Sequence, residues 1–170
     1  MVELFGGAAR CSIPQGWTDA ALLRDVPSHQ EVFVNESGSE SVIIEILQRE
    51  STVADWAAGE FFFKDLAEAD SAVSWELSGD GVAVPTVFLG KDATRVDVAG
   101  TQVKGKSGPS AVPRPVWVCM TVFRSAAFDS DVLVSSHFEG LATEEAITEA
   151  SRTHGVISNS LKFLDPNLFI

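Results

Sequence analysis

Strand-like segments follow one another here with no helix between them, and that succession constrains the fold most. Ala72–Leu77, Thr86–Leu89, Thr94–Val103, Val116–Phe123 and Asp131–His137 are rich in β-branched and apolar residues, and turn-forming residues separate them. A parallel pair needs a crossover of a dozen or more residues, usually helical. The one long gap, Gly105–Pro115, carries Pro109, Pro113 and Pro115, which no regular helix tolerates. The sheet is therefore expected to be mostly antiparallel. Helix-like segments before and after these strands would pack on its faces, an α+β architecture.

Two more strands, Glu31–Asn35 and Ser41–Leu47, precede the first helix. In the second, Val42, Ile44 and Ile46 would face one way and Ile43, Glu45 and Leu47 the other. Glu3–Phe5 and Arg10–Ile13 flank Gly6-Gly7 and suggest a hairpin. Asp19–Arg24 reads as a helical turn capped by Asp19 and closed by Pro27. The first long helix is expected from Thr52 to Ala69. Thr52 would cap it, Asp55 would complete a variant capping box, and Val53, Trp56, Phe63 and Leu66 would form the apolar stripe. Gly59 should weaken it. The last helix starts at Thr143, with Glu144 and Glu145 at the positive end of its dipole. Ile147, Ala150, His154, Ile157, Leu161 and Leu164 recur at helical spacing, which places Lys162 in the last turn and the stop at Pro166.

The 170 residues fit one domain, 1–170, with a core that needs no staples. The longest largely apolar run, Val116–Phe123, interrupted at Thr121, is far short of the ~20 residues of a membrane helix. The N-terminus lacks the basic-then-apolar pattern of a signal peptide. Two cysteines, Cys11 and Cys119, make no disulfide framework, and a reducing compartment fits.

The net charge of −12 argues against nucleic acid and anionic membrane. It suits a basic protein partner, or simply solubility. The charge is uneven: −11 over residues 1–90, +4 over 91–124 and −5 over 125–170. The basic central stretch is either a second contact surface or a solvated hairpin.

Gly100–Ser107 spells the phosphate-loop pattern GxxxxGK[ST]. That loop works only between a strand and a helix whose N-terminus meets the phosphate. The prolines after Ser107 deny the helix, so no ATP or GTP binding is expected. No cofactor or metal is expected either. His29, His137 and His154 lack ligand spacing, and His154 reads as a satisfied core histidine. Asp129 and Asp131 read as a turn, and the Asn35-Glu36-Ser37 sequon as idle. Of the four tryptophans, Trp17 follows a Pro-x-Gly loop and is expected to be the most exposed. Nothing assembles a nucleophile, base and orienting group, so no catalytic residue is assigned.

Several motifs in order carry a family resemblance. They are Glu3-Leu4-Phe5-Gly6-Gly7-Ala8, Ile13-Pro14-x-Gly16 and Asp19-x-x-x-Leu23-Arg24-x-Val26-Pro27-x-x-Gln30-Glu31-Val32-Phe33, followed by the strand Ser41–Leu47. Phe63-Lys64-Asp65-Leu66, Phe128–Val134 and Asp165-Pro166-Asn167-Leu168-Phe169 continue the match. Together they resemble the Mog family, the Ran guanine-nucleotide release factors of eukaryotes; residues 70–120 match poorly. The resemblance implies a three-layer α/β/α sandwich shared with PsbP proteins. It also implies binding to the GTPase Ran, promotion of nucleotide release without covalent chemistry, support of nuclear import, and residence in nucleus and cytoplasm. A monomer is expected. By position it assigns partner contacts to Asp19, Arg24, Gln30, Glu31 and Glu45, and to Gln48, where the family commonly has a second acid. Ser28 likewise stands where the family has aspartate.

A carboxylate among apolar side chains, as at Glu45, is costly to bury unpaired. Either an internal cation such as Arg24 or Arg49 meets it, or Glu45 and Glu31 form an acidic patch held for a partner. The alternative function is a binding module for a partner other than Ran, such as a membrane-protein trafficking adaptor.

Overall fold

The computed structural model describes residues 1–105 and 112–169. The elements, in chain order, are β1 (Val2–Leu4), β2 (Ala9–Cys11), β3 (Thr18–Asp19), β4 (Gln30–Val34), β5 (Glu40–Gln48), α1 (Ala58–Ala69), β6 (Ala72–Leu77), β7 (Ala83–Phe88), β8 (Lys91–Lys104), β9 (Arg114–Ser125), β10 (Ser130–Glu139), α2 (Glu144–Ser160) and β11 (Lys162–Phe163). Short 3-10 turns lie at Phe5–Gly7, Ala20–Leu22, Asp55–Ala57 and Pro166–Phe169.

Eight strands form one sheet in the order β3-β4-β5-β10-β9-β8-β6, with β7 beside the other half of β8. Each strand pairing in it is antiparallel, as the short connections require. β10 lies near the middle and is buried from Ser130 to Phe138. β1, β2 and β11 make a separate small sheet.

The large sheet is the middle of three layers. On one face α1 packs Ala58, Phe62 and Phe63 against Val96, Val98, Val116, Val118, Met120, Val122 and Leu133. The other face is covered jointly by α2 and the small sheet. Leu4, Ala9, Cys11 and Ile157 meet Phe33, Val42, Ile44, Val132 and Val134 there. The expected α/β/α sandwich is present, with one outer layer shared between a helix and three short strands. Val42 and Ile44 lie in one core and Leu47 packs against the other, as the alternation requires.

The first helix begins later than expected. Thr52 caps nothing; its hydroxyl donates to Glu50 Oε1 at 2.6 Å. Asp55 is taken by Arg124 Nη1 at 3.1 Å and by the Thr94 hydroxyl at 2.8 Å, so it is not free for a capping box. The chain therefore makes a turn at 50–53, closed by Val53 N donating to Glu50 O at 3.2 Å, and then a 3-10 turn before α1. Trp56 on that turn is 77% exposed rather than on the core stripe, and Trp17 is only half-exposed.

Gly59 has a packing role. A Cβ there would stand 2.5 Å from Val98 Cγ1, so the helix reaches the sheet only because position 59 has no side chain.

The last helix is capped by Thr143, whose Oγ1 accepts from Ala146 N at 3.1 Å. It stops at Ser160, earlier than expected, because Leu161 turns extended. Lys162 and Phe163 then pair with Arg10 and Ala9 as a strand. The Phe163 ring lies 4.6 Å from Phe88 and 5.2 Å from Phe169, an aromatic cluster that rewards the extended path. Leu161 packs with Phe163, so strand alternation, not the helical period, sets its place.

Gly100–Lys104 lie inside β8, and the next described element is strand β9. The strand–loop–helix context of a phosphate loop is absent among the described residues. Lys106 and Ser107 lie outside them.

Candidate functional site

β4 and β5 pair so that Gln30 stands opposite Glu45 and Glu31 opposite Ile44. The Gln30 Nε2 amide donates to Glu45 Oε1 at 2.7 Å, and His29 Nε2 lies 3.3 Å from the same oxygen. The internal partners of Glu45 are thus its neighbours across the strand pair. Arg49 instead pairs with Asp55 at 3.5 Å, and Arg24 is exposed, its guanidinium donating to Asp25 O at 3.4 Å. α1 packs on β6, β8 and β9, and the β5 side chains on this face, Ile43, Glu45 and Leu47, stay half-exposed. Glu45 Oε2 has no hydrogen-bond partner among the described residues, and the side chain is 23% exposed.

Glu31 does not join Glu45 in one patch. Its registered neighbour Ile44 is buried in the opposite core, and its own carboxylate accepts from Phe5 N. Strand alternation separates the two acids onto opposite faces. Glu31 therefore ties the β1–β2 turn to β4. Asp19 is also locally engaged: its Oδ1 accepts from Ala21 N at 2.8 Å and caps the 20–22 turn.

Gln48 closes β5 and donates from Nε2 to Asp129 Oδ2 at 3.3 Å. Asp129 sits at the β9–β10 turn with φ 45°, held by Arg49 N donating to its carbonyl at 2.9 Å. A carboxylate thus stands beside position 48, supplied by the β9–β10 turn. Ser28, His29, Gln48, Asp129 and Phe5 line one cavity of about 420 Å³ at this end of the sheet. The two positions where the chain departs from the family pattern, 28 and 48, share that cavity. The predicted residues therefore gather at the open end of the β4–β5 pair, Gln30 and Glu45 on one face, Glu31 on the other and Gln48 at the tip. Among the described residues no hydrogen bond or ion pair joins Asp19 or Arg24 to them.

Two polar networks were not legible in the sequence. Arg124 is 1% exposed in its side chain yet satisfies all five N–H donors. Nε and Nη2 reach Asp131 at 2.9 and 3.4 Å, Nη1 reaches Val53 O at 2.6 Å and Asp55, and Nη2 also reaches Glu50 O at 2.6 Å. The turn reading of Asp131 is corrected by this: it lies within β10, fully buried, and also accepts from Glu50 N at 2.8 Å. Arg124 clamps the 50–55 segment that links β5 to α1.

The second network fastens α2. Thr121 donates to Asp97 Oδ1 at 2.5 Å, so its hydroxyl accepts from His154 Nε2 at 2.9 Å. That leaves Nδ1 as acceptor for the Ser136 hydroxyl at 2.8 Å and fixes a neutral tautomer. Burial pushes the His154 pKa down to about 4. Burial would raise Asp97, but hydrogen bonds from Arg95 and Thr121 outweigh it and hold the carboxyl below its ordinary range. Serine, histidine and aspartate match a hydrolase triad by residue type alone. Ser136 is fully buried and the histidine bridges two hydroxyls, so the chain of contacts is a strut. His154 is the satisfied core histidine expected.

The arrangement defines a three-layer α+β fold around an antiparallel sheet, with a carboxylate-bearing strand end left uncovered by α1. Residues 2–154 match the family described as "Ran-interacting Mog1 protein", and the chain belongs to that family. It is 32% identical to "Nuclear import protein MOG1" of Saccharomyces cerevisiae over 88% of this chain and 70% of that one. It is 27% identical to "Ran guanine nucleotide release factor" of Danio rerio, covering 98% of this chain and 97% of that one. The crystal structure of the S. cerevisiae Ran-binding protein Mog1p superposes with a TM-score of 0.75 at 26% identity, covering 99% and 97% of the two chains.

Proposed function

We propose that this protein binds the small GTPase Ran and promotes release of its guanine nucleotide, in support of protein transport between nucleus and cytoplasm. Membership of the Ran-interacting Mog1 family carries this reading. Glu45 gives it a chemical basis. One oxygen is held by Gln30 and His29, which orients the carboxylate, and the other is free for a basic group on the partner. Asp129, beside Gln48, supplies a second exposed carboxylate at the same end. Such charges speed encounter and fix register more than they add affinity. Release follows if the bound factor prefers the nucleotide-depleted form of the GTPase, since a ligand shifts an equilibrium only by its differential affinity. No covalent step is involved.

The test is Ran loaded with a fluorescent guanine nucleotide, chased with excess unlabelled nucleotide. The parent protein should accelerate the loss of signal. Glu45→Lys should abolish most of that acceleration while unfolding at the parent's temperature. No acceleration by the parent would refute the release activity; equal acceleration by Glu45→Lys would refute the site.

A further inference from the structure

Trp56 is the most exposed aromatic side chain of the fold, and its surroundings are built rather than incidental. Gly59 and Gly81 stand over the same two valines. A Cβ at Gly59 would come 2.5 Å from Val98 Cγ1 and 3.0 Å from Val96 Cγ1; at Gly81 the distances are 2.6 and 3.0 Å. The first turn of α1 and the β6–β7 turn can both settle on that pair because neither carries a side chain there. Between them lies a groove of about 670 Å³, walled by Trp56, Ala57, Glu60, Phe61 and Lys64 on one side and by Leu77, Asp80 and Gly81 on the other. Phe61 is set by an edge-on contact with the buried Phe62 ring at 5.0 Å.

The charge in the groove has one sign to spare. Glu60 and Asp80 are exposed and have no hydrogen-bond or ion-pair partner among the described residues. Lys64, on the groove wall, is paired with Glu68 one turn on at 3.8 Å, which leaves the two carboxylates in excess. An indole face with two free carboxylates beside it suits a flat cation. Arginine stacks on tryptophan and pairs with carboxylates, whereas lysine offers only a point charge. The net charge of −12 would favour approach of a basic segment. An exposed tryptophan is also the side chain that most often anchors a protein interface.

We propose that this groove is a second protein-contact surface, with Trp56 as its anchor, receiving an arginine on a basic segment of a partner protein. It is separate from the Glu45 end: β5 and β8 are three strand spacings apart, about 14 Å across the sheet. The inference does not depend on the identity of the partner at Glu45.

The indole N–H signals of the four tryptophans give a direct test by NMR, Trp56 being assigned from its loss in Trp56→Ala. The probes are three short acetylated peptides alike except for a central pair of arginines, lysines or glutamates. The Trp56 signal should move saturably with the arginine peptide at up to about 1 mM, less with lysine and not with glutamate. Trp75 and Trp117 should stay still and report the fold. Glu60→Lys with Asp80→Lys should weaken binding about tenfold or more. An unmoved Trp56 signal, an equal response to glutamate, or undiminished binding by the double variant would overturn the proposal. So would movement on diluting the protein alone, which would make the occupant a second copy.

Discussion

Replacing Arg124 with methionine should cost more stability than any single change at the surface. Methionine keeps most of the volume but withdraws five donors at once. Asp131 would remain fully buried, with Glu50 N the one hydrogen bond it keeps. The Val53 carbonyl would lose its Arg124 donor, and the Glu50 carbonyl would keep only Val53 N at 3.2 Å. Breaking a buried ion pair from one side costs about 3–5 kcal/mol, mostly the stranded charge. For a chain of this size that corresponds to a fall of about 10 °C in Tm, and it consumes a large part of a typical total stability of about 5–15 kcal/mol. Urea unfolding at unchanged m measures it. Arg124→Met/Asp131→Leu should recover about half of the loss, because the stranded charge goes but the Val53 carbonyl and Glu50 N are left without their partners. Amide exchange across residues 50–57 should quicken in the single variant before that of β10. A single variant within about 1 kcal/mol of the parent would refute the clamp. A double variant less stable than the single would refute the charge as its cause.

Three further outcomes follow from other contacts. His154 is neutral in the fold with a pKa near 4 against 6.5 unfolded, so its contribution is fully present above pH 6.5 and is lost as pH falls toward 4. It amounts to about 3 kcal/mol at full loss; Tm followed from pH 7 to 4 should fall more steeply in the parent than in His154→Gln, and parallel curves would count against the buried neutral imidazole. Asp97, depressed below 3.8, adds its loss only at still lower pH. Gly59→Ala should destabilise by about 1–3 kcal/mol through overpacking on Val98, despite alanine's better helix propensity, and Val98→Ala should restore part of it in the pair; thermal melts of the two single variants and the pair decide this. Glu31→Gln should lower Tm by loosening the β1–β2 turn while leaving Ran binding near the parent's, the reverse of Glu45→Lys; binding and melting measured side by side separate the two acids.

The fold was largely readable because its strongest signals are local and redundant. The β5 alternation, the Thr143 cap and the absence of crossover helices each constrain the answer separately, and they agree. The errors share one cause. At both helix ends the local signal was sound and a tertiary contact overrode it. Asp55 has the chemistry of a capping box, but Arg124, 69 residues away, offers it a charged partner inside the protein. Leu161 and Leu164 keep the helical period, but Arg10 and Ala9 offer Lys162 and Phe163 a strand, and the phenylalanine cluster completes it. Single-sequence patterns hold no information about either partner.

The site was legible residue by residue but not as a surface. Alternation alone places Glu45 on the opposite face from Ile44, yet the fate of Glu31 depends on the register between β4 and β5, which the 35–39 turn sets. A slip of one residue would have put Glu31 beside Glu45. The observed register puts Gln30 there instead, an amide that orients the carboxylate without neutralising it. The register of β5 against β10 explains how Gln48 need not weaken the acidic end. Residue 48 pairs with Ser130, which brings Asp129 of the next turn within hydrogen-bond reach. A charge absent from the strand is present in space on the adjoining turn, so a motif scored along the chain undercounts the field a partner meets. Asp129→Asn should therefore weaken partner binding more than Gln48→Ala does, with Tm little changed in either variant. The reverse order, measured by titration on Ran, would show that the partner reads position 48 itself and that the neighbouring turn is a bystander.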